Sequence, residues 1–328
     1  MKDLIVGFPQ QLRDALSIAR AVSNPPHINV NIDNILICGL GGSGIGGTLV
    51  QNYLSDISPK PISVHKDYGL PKFVNKNTLV ICSSYSGNTE ETLDAYQTAL
   101  QSEAQVWVIS SGGILIERAK KDRIPYIQIP EGMPPRSCLG YSLVQLFRVL
   151  ELNGIIVGGY QSEIQDAATL LLDKSVYIQE NAAQLADKLY GKLPVIYSDN
   201  NIEGVTIRWR QQFNENGKIL CWHHIIPEMN HNELVGWSEV QDDKSVIFLR
   251  NSFENPRSVL RISIVDEIIS RYANSIYHIA ALGRTKLEQI FYLIHFGDWL
   301  SLFISENNKV DASEIKVIDY LKSKLEEK

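Results

Sequence analysis

The sequence predicts an α/β protein made of two doubly wound domains, in which mainly parallel sheets are flanked by helices. Short apolar runs alternate with helical stretches along most of the chain, as expected for parallel strands joined by crossover helices. Two of these apolar runs break directly into loops rich in Gly and Ser. The length of 328 residues also suits two domains, at about 150 residues for each.

The first half begins with an amphipathic helix and then alternates strands with helices. Over residues 4–22, apolar side chains recur at a spacing of three to four, which predicts a helix. The predicted strands are 35–38, 78–82, 106–109 and 126–129. The predicted helices between them are 48–54, 90–102 and 116–121. A Pro-rich turn at 133–136 closes this unit.

Residues 137–190 are predicted to be mostly helical, with an interruption at Gly158-Gly159, and a second alternation starts at residue 193. Its predicted strands are 193–197, 218–221, 246–249, 262–265 and 275–278. Its predicted helices are 203–213, 283–303 and 314–326. We therefore predict one domain over 1–150, connecting helices over 151–190 and a second domain over 191–328.

The composition is that of a globular protein without a nucleic-acid or membrane surface. Apolar residues make up 44% and charged residues 21% of the chain, and the net charge is −6. This acidic balance argues against a nucleic-acid partner, although a local anion site is compatible with it. The charged N-terminus does not resemble a signal peptide, and no apolar run approaches the ~18 residues of a membrane span. We therefore expect a cytoplasmic protein.

The cysteines and histidines do not predict a metal centre. The four cysteines are far apart and form no CxxC pair, so we expect reduced thiols. They are Cys38, Cys82, Cys138 and Cys221. His223, His224 and His231 could supply nitrogen ligands for zinc, but no acidic or Cys partner stands at ligand spacing. We expect neither a metal nor another cofactor.

The first Gly-rich loop, Gly39-Leu40-Gly41-Gly42-Ser43-Gly44, follows a predicted strand and contains the spacing GxGxxG. That spacing occurs in dinucleotide-binding folds, where an acidic residue about twenty positions further on holds the ribose. Val64 and His65 occupy that region here, which disfavours a dinucleotide. A P-loop is excluded, because the sequence Gly-Lys-Ser/Thr is missing.

The second loop, Ser84-Tyr85-Ser86-Gly87-Asn88-Thr89, stands directly before a predicted helix. The hydroxyls of Ser84, Ser86 and Thr89 can converge on one anion. The start of the helix adds unpaired N–H groups and a partial positive charge. A simple helix cap is the structural alternative, but a cap needs one hydroxyl rather than three. The loop therefore predicts a monophosphate site.

This second loop and its continuation Glu90-Glu91-Thr92 resemble the S-x-S-G-x-T-x-E-T signature of sugar isomerase domains, the phosphosugar-binding modules of the phosphoglucose isomerase superfamily. Gly41-Gly42-Ser43-Gly44 is similar to the first loop of those domains. Pro134-Pro135-Arg136 and the segments 214–218 and 227–233 resemble the bifunctional phosphoglucose/phosphomannose isomerase branch. The motifs occur in that family's order over nearly the whole chain. The resemblance implies sugar-isomerase-type domains.

The resemblance also implies roles for the matching residues. Arg136 matches an arginine that contacts substrate beside the reacting carbons. Glu215 matches the base that moves a proton between C1 and C2, and His231 matches a histidine that helps to open the sugar ring. The other implied contacts to substrate and phosphate are Gly42, Ser43, Ser84, Ser86 and Thr89.

A C-terminal lysine belongs to the same pattern, and Lys322 fits it best, with Lys286 as a weaker candidate. In the wider superfamily a second subunit completes the site, which implies a homodimer. No metal or redox cofactor is implied.

The chemistry of aldose–ketose isomerisation requires these side-chain types independently. A weakly acidic proton next to a carbonyl must be removed and returned one carbon away, which a single carboxylate can do through a cis-enediol. A fixed guanidinium can stabilise the charge that develops on oxygen. Opening the sugar ring needs acid–base groups, a task that suits histidine and lysine. Without the resemblance, Glu215 would be expected to be an ordinary surface carboxylate.

Two other functions are compatible with a phosphosugar-binding module. A non-catalytic phosphosugar sensor would need the phosphate hydroxyls but not Glu215 and His231, and no DNA-binding segment stands out. An amidotransferase-type isomerase using glutamine would need a Cys after Met1, and Lys2 stands there instead. The sequence therefore favours an isomerase of glucose 6-phosphate and fructose 6-phosphate, with mannose 6-phosphate as a further substrate.

Overall fold

The computed structural model of the chain describes residues 1–23 and 31–327. Two sheets follow one another along the sequence, and helices surround them. The strands are β1 (Asn34–Cys38), β2 (Ile62–His65), β3 (Thr78–Ser83), β4 (Gln105–Ser110), β5 (Tyr126–Gln128), β6 (Leu193–Asp199), β7 (Trp222–Ile226), β8 (Lys244–Arg250) and β9 (Ile276–Ala280). The helices are α1 (Lys2–Val6), α2 (Phe8–Ala21), α3 (Gly41–Leu54), α4 (Glu90–Gln101), α5 (Gly113–Asp122), α6 (Leu139–Leu152), α7 (Tyr160–Asp173), α8 (Ser175–Leu189), α9 (Glu203–Glu215), α10 (Pro256–Ile269), α11 (Lys286–Asn307) and α12 (Lys316–Glu326).

The strand order places two chemistry-bearing loops side by side. The first sheet has the order β2-β1-β3-β4-β5 and the second the order β7-β6-β8-β9, and the pairings within both are parallel. The predicted α/β class with mainly parallel sheets is confirmed. Because β1 and β3 are neighbours, with Cys38 opposite Cys82, the loops that follow them leave the same edge of the sheet.

One hydrophobic cluster joins the two sheets through α11. It contains Ile81 of β3, Phe291 of α11 and Ile247 of β8. Almost every residue of α11 is buried, as expected for a helix at the centre of a protein rather than on its surface. A separate cluster under α4 and α5 covers the other face of the first sheet, so β3 is buried throughout. The shared core holds the loops of the first sheet against the second half of the chain.

One predicted strand is wrong, because residues 262–265 lie inside α10. Their β-branched composition favours a strand, but the buried side chains Ile262, Val265 and Ile269 recur at helical spacing. The side chain of Asn255 caps the helix by accepting from a first-turn amide, and Pro256 follows it at the first helical position. The face that these side chains bury against the second sheet outweighs the β propensity, and the start signals agree with it.

Three other elements differ from the prediction. The edge strand β2 is not predicted by the sequence, and its four residues are only half-buried. The strand expected at 218–221 begins later, at Trp222, because the chain first turns through Lys218, which has a φ of +54°. Helix α3 begins at Gly41 rather than near residue 48. Its glycines allow close packing, since a Cβ on Gly47 would lie 2.9 Å from the side chain of Ile37.

None of the helices within residues 1–23 and 31–327 is long and apolar enough to cross a membrane.

Candidate active site

The two phosphate-loop candidates contact each other at the edge of the first sheet. The backbone N–H of Tyr85 donates to Ser43 Oγ at 3.0 Å, which links the second loop to the first. Within the second loop, the hydroxyls of Ser84 and Thr89 are 2.9 Å apart, and Gly87 N donates to Ser84 Oγ at 3.2 Å. The structure therefore brings Ser43, Ser84 and Thr89 into one polar cluster.

The hydroxyls of the second loop stand at the start of α4. Thr89 immediately precedes the helix, yet among the described residues its side chain makes no capping bond to the first-turn amides. The exposed Ser86 accepts from Asn88 N at 3.2 Å. Gly87 has a φ of +70°, and a Cβ there would lie 1.9 Å from Gly112 O. Since the amides at the helix start lack a side-chain cap, they can donate to an anion.

Gly42 connects the first loop to the turn that carries Arg136. A Cβ atom on Gly42 would lie 2.8 Å from the carbonyl oxygen of Pro135 and 3.2 Å from Arg136 N. Only glycine allows this approach of two backbones. The first Gly-rich loop and the turn of Arg136 therefore lie in contact.

Arg136 is buried, with 4% of its surface exposed, in the short 3₁₀ turn Pro135–Ser137. Its Nε donates to Asn216 Oδ1 at 2.8 Å, and one terminal nitrogen lies 3.3 Å from Glu215 Oε2. The other terminal nitrogen donates to the carbonyl oxygen of Ala312 at 2.8 Å. Burial lowers the pKa of the Arg136 guanidinium, and the Glu215 carboxylate opposes that shift. The guanidinium is thus a fixed cation with few free donors.

Glu215 is the last residue of α9, and 30% of its side chain is exposed. Lys218, three residues later, donates to the carbonyl oxygen of Glu215 and to that of Glu314 at 2.7 Å. Asn216 and Lys218 are site residues that sequence reasoning missed, although both stand in the Asn214–Lys218 motif. The arrangement leaves one carboxylate accessible beside a buried cation, which suits proton transfer next to a developing oxyanion.

The structure does not bond His231 to this cluster within the described residues. It is exposed at the end of the 3₁₀ turn Glu228–His231, and no hydrogen bond or ion pair within residues 31–327 joins it to Arg136 or Glu215. The loop that carries it is anchored by Glu233, whose carboxylate accepts from the hydroxyl of Tyr197 and from Trp222 Nε1 at 3.0 Å. That carboxylate is therefore committed to the second half's core.

The two candidate lysines also lie outside the cluster. Lys322 is exposed on α12. Lys286 donates to Tyr53 O at 3.3 Å and to Asp56 at 3.1 Å, at the start of α11. In the described part of the chain neither lysine has a hydrogen bond or ion pair to Glu215. The role of Lys322 stays a prediction.

His223 and His224 are consecutive residues of β7. Burial, together with the nearby Arg210 and His224, lowers the pKa of His223 to about 4. Within residues 1–23 and 31–327, no three His, Cys, Asp or Glu side chains are grouped as a metal site would require.

Comparison with known proteins identifies the family. Residues 178–325 match the family described as the bacterial phospho-glucose isomerase C-terminal SIS domain. The chain is 36% identical to a bifunctional phosphoglucose/phosphomannose isomerase of Caldicellulosiruptor bescii, over 100% of this chain and 99% of that protein. It is 35% identical to the protein of the same name from Aquifex aeolicus, over 89% of this chain and 90% of the relative.

A solved structure supports the fold. The tagatose-6-phosphate ketose/aldose isomerase of Escherichia coli aligns with a TM-score of 0.71 over 95% of this chain and 93% of that one, at 18% identity. At this identity the likeness bears on the fold alone. The near full-length sequence match carries the assignment: this chain belongs to the bifunctional phosphoglucose/phosphomannose isomerase family.

Proposed function

We propose that this protein is an aldose–ketose isomerase that interconverts glucose 6-phosphate and fructose 6-phosphate, and that it also accepts mannose 6-phosphate. One observation carries the proposal. Arg136 stands in the turn whose backbone contacts Gly42 of the first Gly-rich loop, and its guanidinium lies beside the partly exposed carboxylate of Glu215. Relatives over the full chain length are named bifunctional phosphoglucose/phosphomannose isomerases, which supports the same assignment. The alternative of a non-catalytic phosphosugar sensor is not favoured.

In the proposed complex, the phosphate lies at the start of α4. The hydroxyls of Ser84, Ser86 and Thr89 and the uncapped amides of the helix donate to its oxygens. Gly42 and Ser43 of the first loop line the sugar. Because neutral donors hold the phosphate in this arrangement, the Arg136 guanidinium is left to act beside the reacting carbons.

The proposed chemistry is proton transfer between C2 and C1. Glu215 removes the C2 proton of the open-chain aldose, the electron pair forms the C1–C2 double bond, and O1 takes the negative charge. Arg136 stabilises that oxyanion. A proton then moves from O2 to O1, and Glu215 returns its proton to C1 as C2 becomes the carbonyl carbon. Because C2 is planar in the enediol, glucose and mannose 6-phosphates lead to the same intermediate.

Ring opening precedes these steps, and we assign it to His231 with Lys322. Both side chains are exposed, and within the described residues of one chain neither has a hydrogen bond or ion pair to Glu215. We therefore propose a homodimer in which such groups reach the partner's site. We also propose the division into a phosphate-binding domain over 1–150, connecting helices over 151–190 and a second domain over 191–328. The four free cysteines agree with a cytoplasmic location.

A coupled assay with purified protein tests the proposal. Each of fructose, mannose and glucose 6-phosphate is supplied with and without prolonged EDTA treatment. We expect isomerisation of all three at rates that chelation leaves unchanged. Binding of the sugar phosphates without turnover would support the sensor instead, and loss of activity on chelation with rescue by zinc would overturn the metal-free scheme.

A further inference from the structure

A closed ring of buried polar contacts surrounds Arg136. It links the turn of Arg136 to the facing sides of α9 and α11. No residue in this set of contacts is more than 5% exposed. Its members are Arg136, Arg208, Gln212, Asn216, Asp298 and Ser301.

One arm of the ring holds the guanidinium of Arg136. Arg136 Nε donates to Asn216 Oδ1 at 2.8 Å, and Asn216 Nδ2 donates to Ser301 Oγ at 3.0 Å. Ser301 Oγ in turn donates to the backbone oxygen of Asp298 at 2.7 Å. The plane of the guanidinium is therefore set by an amide that is itself held from α11.

The other arm holds the backbone of Arg136. One terminal nitrogen of Arg208 donates to both carboxylate oxygens of Asp298, at 3.0 and 3.1 Å, and to the backbone oxygen of Arg136 at 2.9 Å. Gln212 Nε2 also donates to Asp298, at 2.7 Å. The first arm starts at the backbone oxygen of Asp298 and the second at its carboxylate, and both end on Arg136.

The balance of charge among these buried residues also depends on Asp298. Two buried arginines lie next to each other, and each has one carboxylate, Asp298 for Arg208 and Glu215 for Arg136. Burial raises the pKa of Asp298, while Arg208 and Gln212 oppose that shift by stabilising its charged form. Without this carboxylate, Arg208 would be an unpaired cation beside Arg136 and would repel it.

We propose that Asp298 is a positioning residue for the isomerisation. Its carboxylate holds Arg208 against the backbone of Arg136, and its backbone oxygen holds the Ser301 and Asn216 arm that ends on the Arg136 guanidinium. The inference rests on the proposed function of Arg136 as the group that meets the oxyanion. If the ion pair of Arg208 and Asp298 only joined α9 to α11, apolar side chains of similar volume could replace it without loss of stability. The two polar arms instead both end on the one arginine that faces the substrate.

Nuclear magnetic resonance of labelled arginine side chains tests the positioning directly. The Nε–H resonance of Arg136 is assigned by its absence from Arg136→Lys, and its exchange with solvent is measured. In Asp298→Asn we expect this exchange to accelerate at least tenfold. Glu254→Gln is the matched control, because Glu254 is another buried carboxylate paired with an arginine, Arg250, and does not contact Arg136. The control should leave the Arg136 resonance unchanged.

Ser301→Ala keeps the test decisive if Asp298→Asn does not fold. It removes one hydroxyl and breaks the link from Asn216 to α11, so it should accelerate the same exchange. Unchanged Arg136 exchange in whichever of these variants folds would overturn the proposal.

Kinetics then separate positioning from general stability. Asp298→Asn should lower kcat about tenfold and change KM less than twofold. In an Arg136→Lys background it should lower kcat no further, because the residue through which it acts is already altered. Effects that multiply in the double variant would contradict the proposal. If the wild type is inactive on all three sugar phosphates, the proposed function is wrong. Solvent exchange of the Arg136 Nε–H would still show whether Asp298 holds Arg136.

Discussion

The guanidinium of Arg136 lies 3.3 Å from the carboxylate of Glu215, although one residue follows the first sheet and the other ends a helix of the second half. Their side chains are 4% and 30% exposed, so the cation is enclosed and the carboxylate is accessible. In the proposed chemistry, Glu215 can therefore reach the substrate as a base, and the fixed charge of Arg136 stabilises the oxyanion. This pair is the basis of the proposed chemistry, and it can be tested from both sides.

Replacing Glu215 with Gln should lower kcat by at least two orders of magnitude. The amide keeps the size and reach of the side chain but cannot take up the C2 proton, and positioned acid–base catalysis contributes ~10²–10⁴-fold. Binding of a phosphorylated sugar-acid inhibitor should hardly change, because the phosphate site lies on other loops. Wild-type protein should exchange the C2 proton of glucose 6-phosphate with solvent deuterium, whereas the variant should not. A variant that keeps most of its kcat would show that another residue is the base.

Replacing Ser86 with Ala should raise KM more than tenfold. A hydrogen bond to a charged group is worth ~1.5–3 kcal/mol, and tenfold corresponds to about 1.4 kcal/mol. Inhibition by the same sugar acid should weaken in parallel. Ser102→Ala is the control, since this hydroxyl stands at the other end of α4 and donates only to Thr98 O. Equal inhibitor affinity in the Ser86 variant and the wild type would remove Ser86 from the phosphate site.

Mixing two inactive variants should restore activity if His231 acts across a dimer interface. Glu215→Gln and His231→Ala each remove one group, so a mixed dimer contains one site with both groups intact. After co-refolding we expect up to about a quarter of the wild-type activity from random pairing, since half of the dimers then have one intact site of two. No recovery, with mixed dimers demonstrated by native mass spectrometry, would indicate that His231 serves its own chain.

Protonation of His295 should make stability depend on pH. Burial lowers its pKa to about 3, and its Nε2 accepts from Trp299 Nε1 at 3.2 Å, so the folded protein holds the neutral ring. The unfolded chain has a His pKa near 6.5 and takes up the proton first as pH falls. His295 therefore leaves the free energy of unfolding unchanged above about pH 6.5. As pH falls from there towards 3, that free energy decreases by up to about 1.4 kcal/mol per pH unit.

The variant His295→Phe isolates this effect. It keeps an aromatic ring that can pack on Phe8, which stacks on His295 at a centroid distance of 5.7 Å. Urea denaturation at pH 7.0 and 5.5 should show that the wild type loses about 1 kcal/mol more than the variant. The same loss in both proteins would mean that His295 is not the group that titrates.

Much of the fold could be predicted from the sequence, and so could a candidate anion loop, because their signals are local. The alternation of apolar runs and helical stretches predicts the parallel sheets, since it depends only on short-range periodicity. The anion loop is contained in six consecutive residues, Ser84 to Thr89, directly before a helix start. The family resemblance rests on similar short motifs, and the comparisons confirm it.

Other features were decided by tertiary packing. Residues 262–265 have strand-like composition, yet the face that they bury against the second sheet makes them helical. The contact between Arg136 and Glu215, the commitment of Glu233 to Tyr197, and the buried ring from Asp298 to Arg136 join residues far apart in the sequence. No local pattern encodes such contacts, because they exist only once the helices have packed around α11 and burial favours pairing between polar groups.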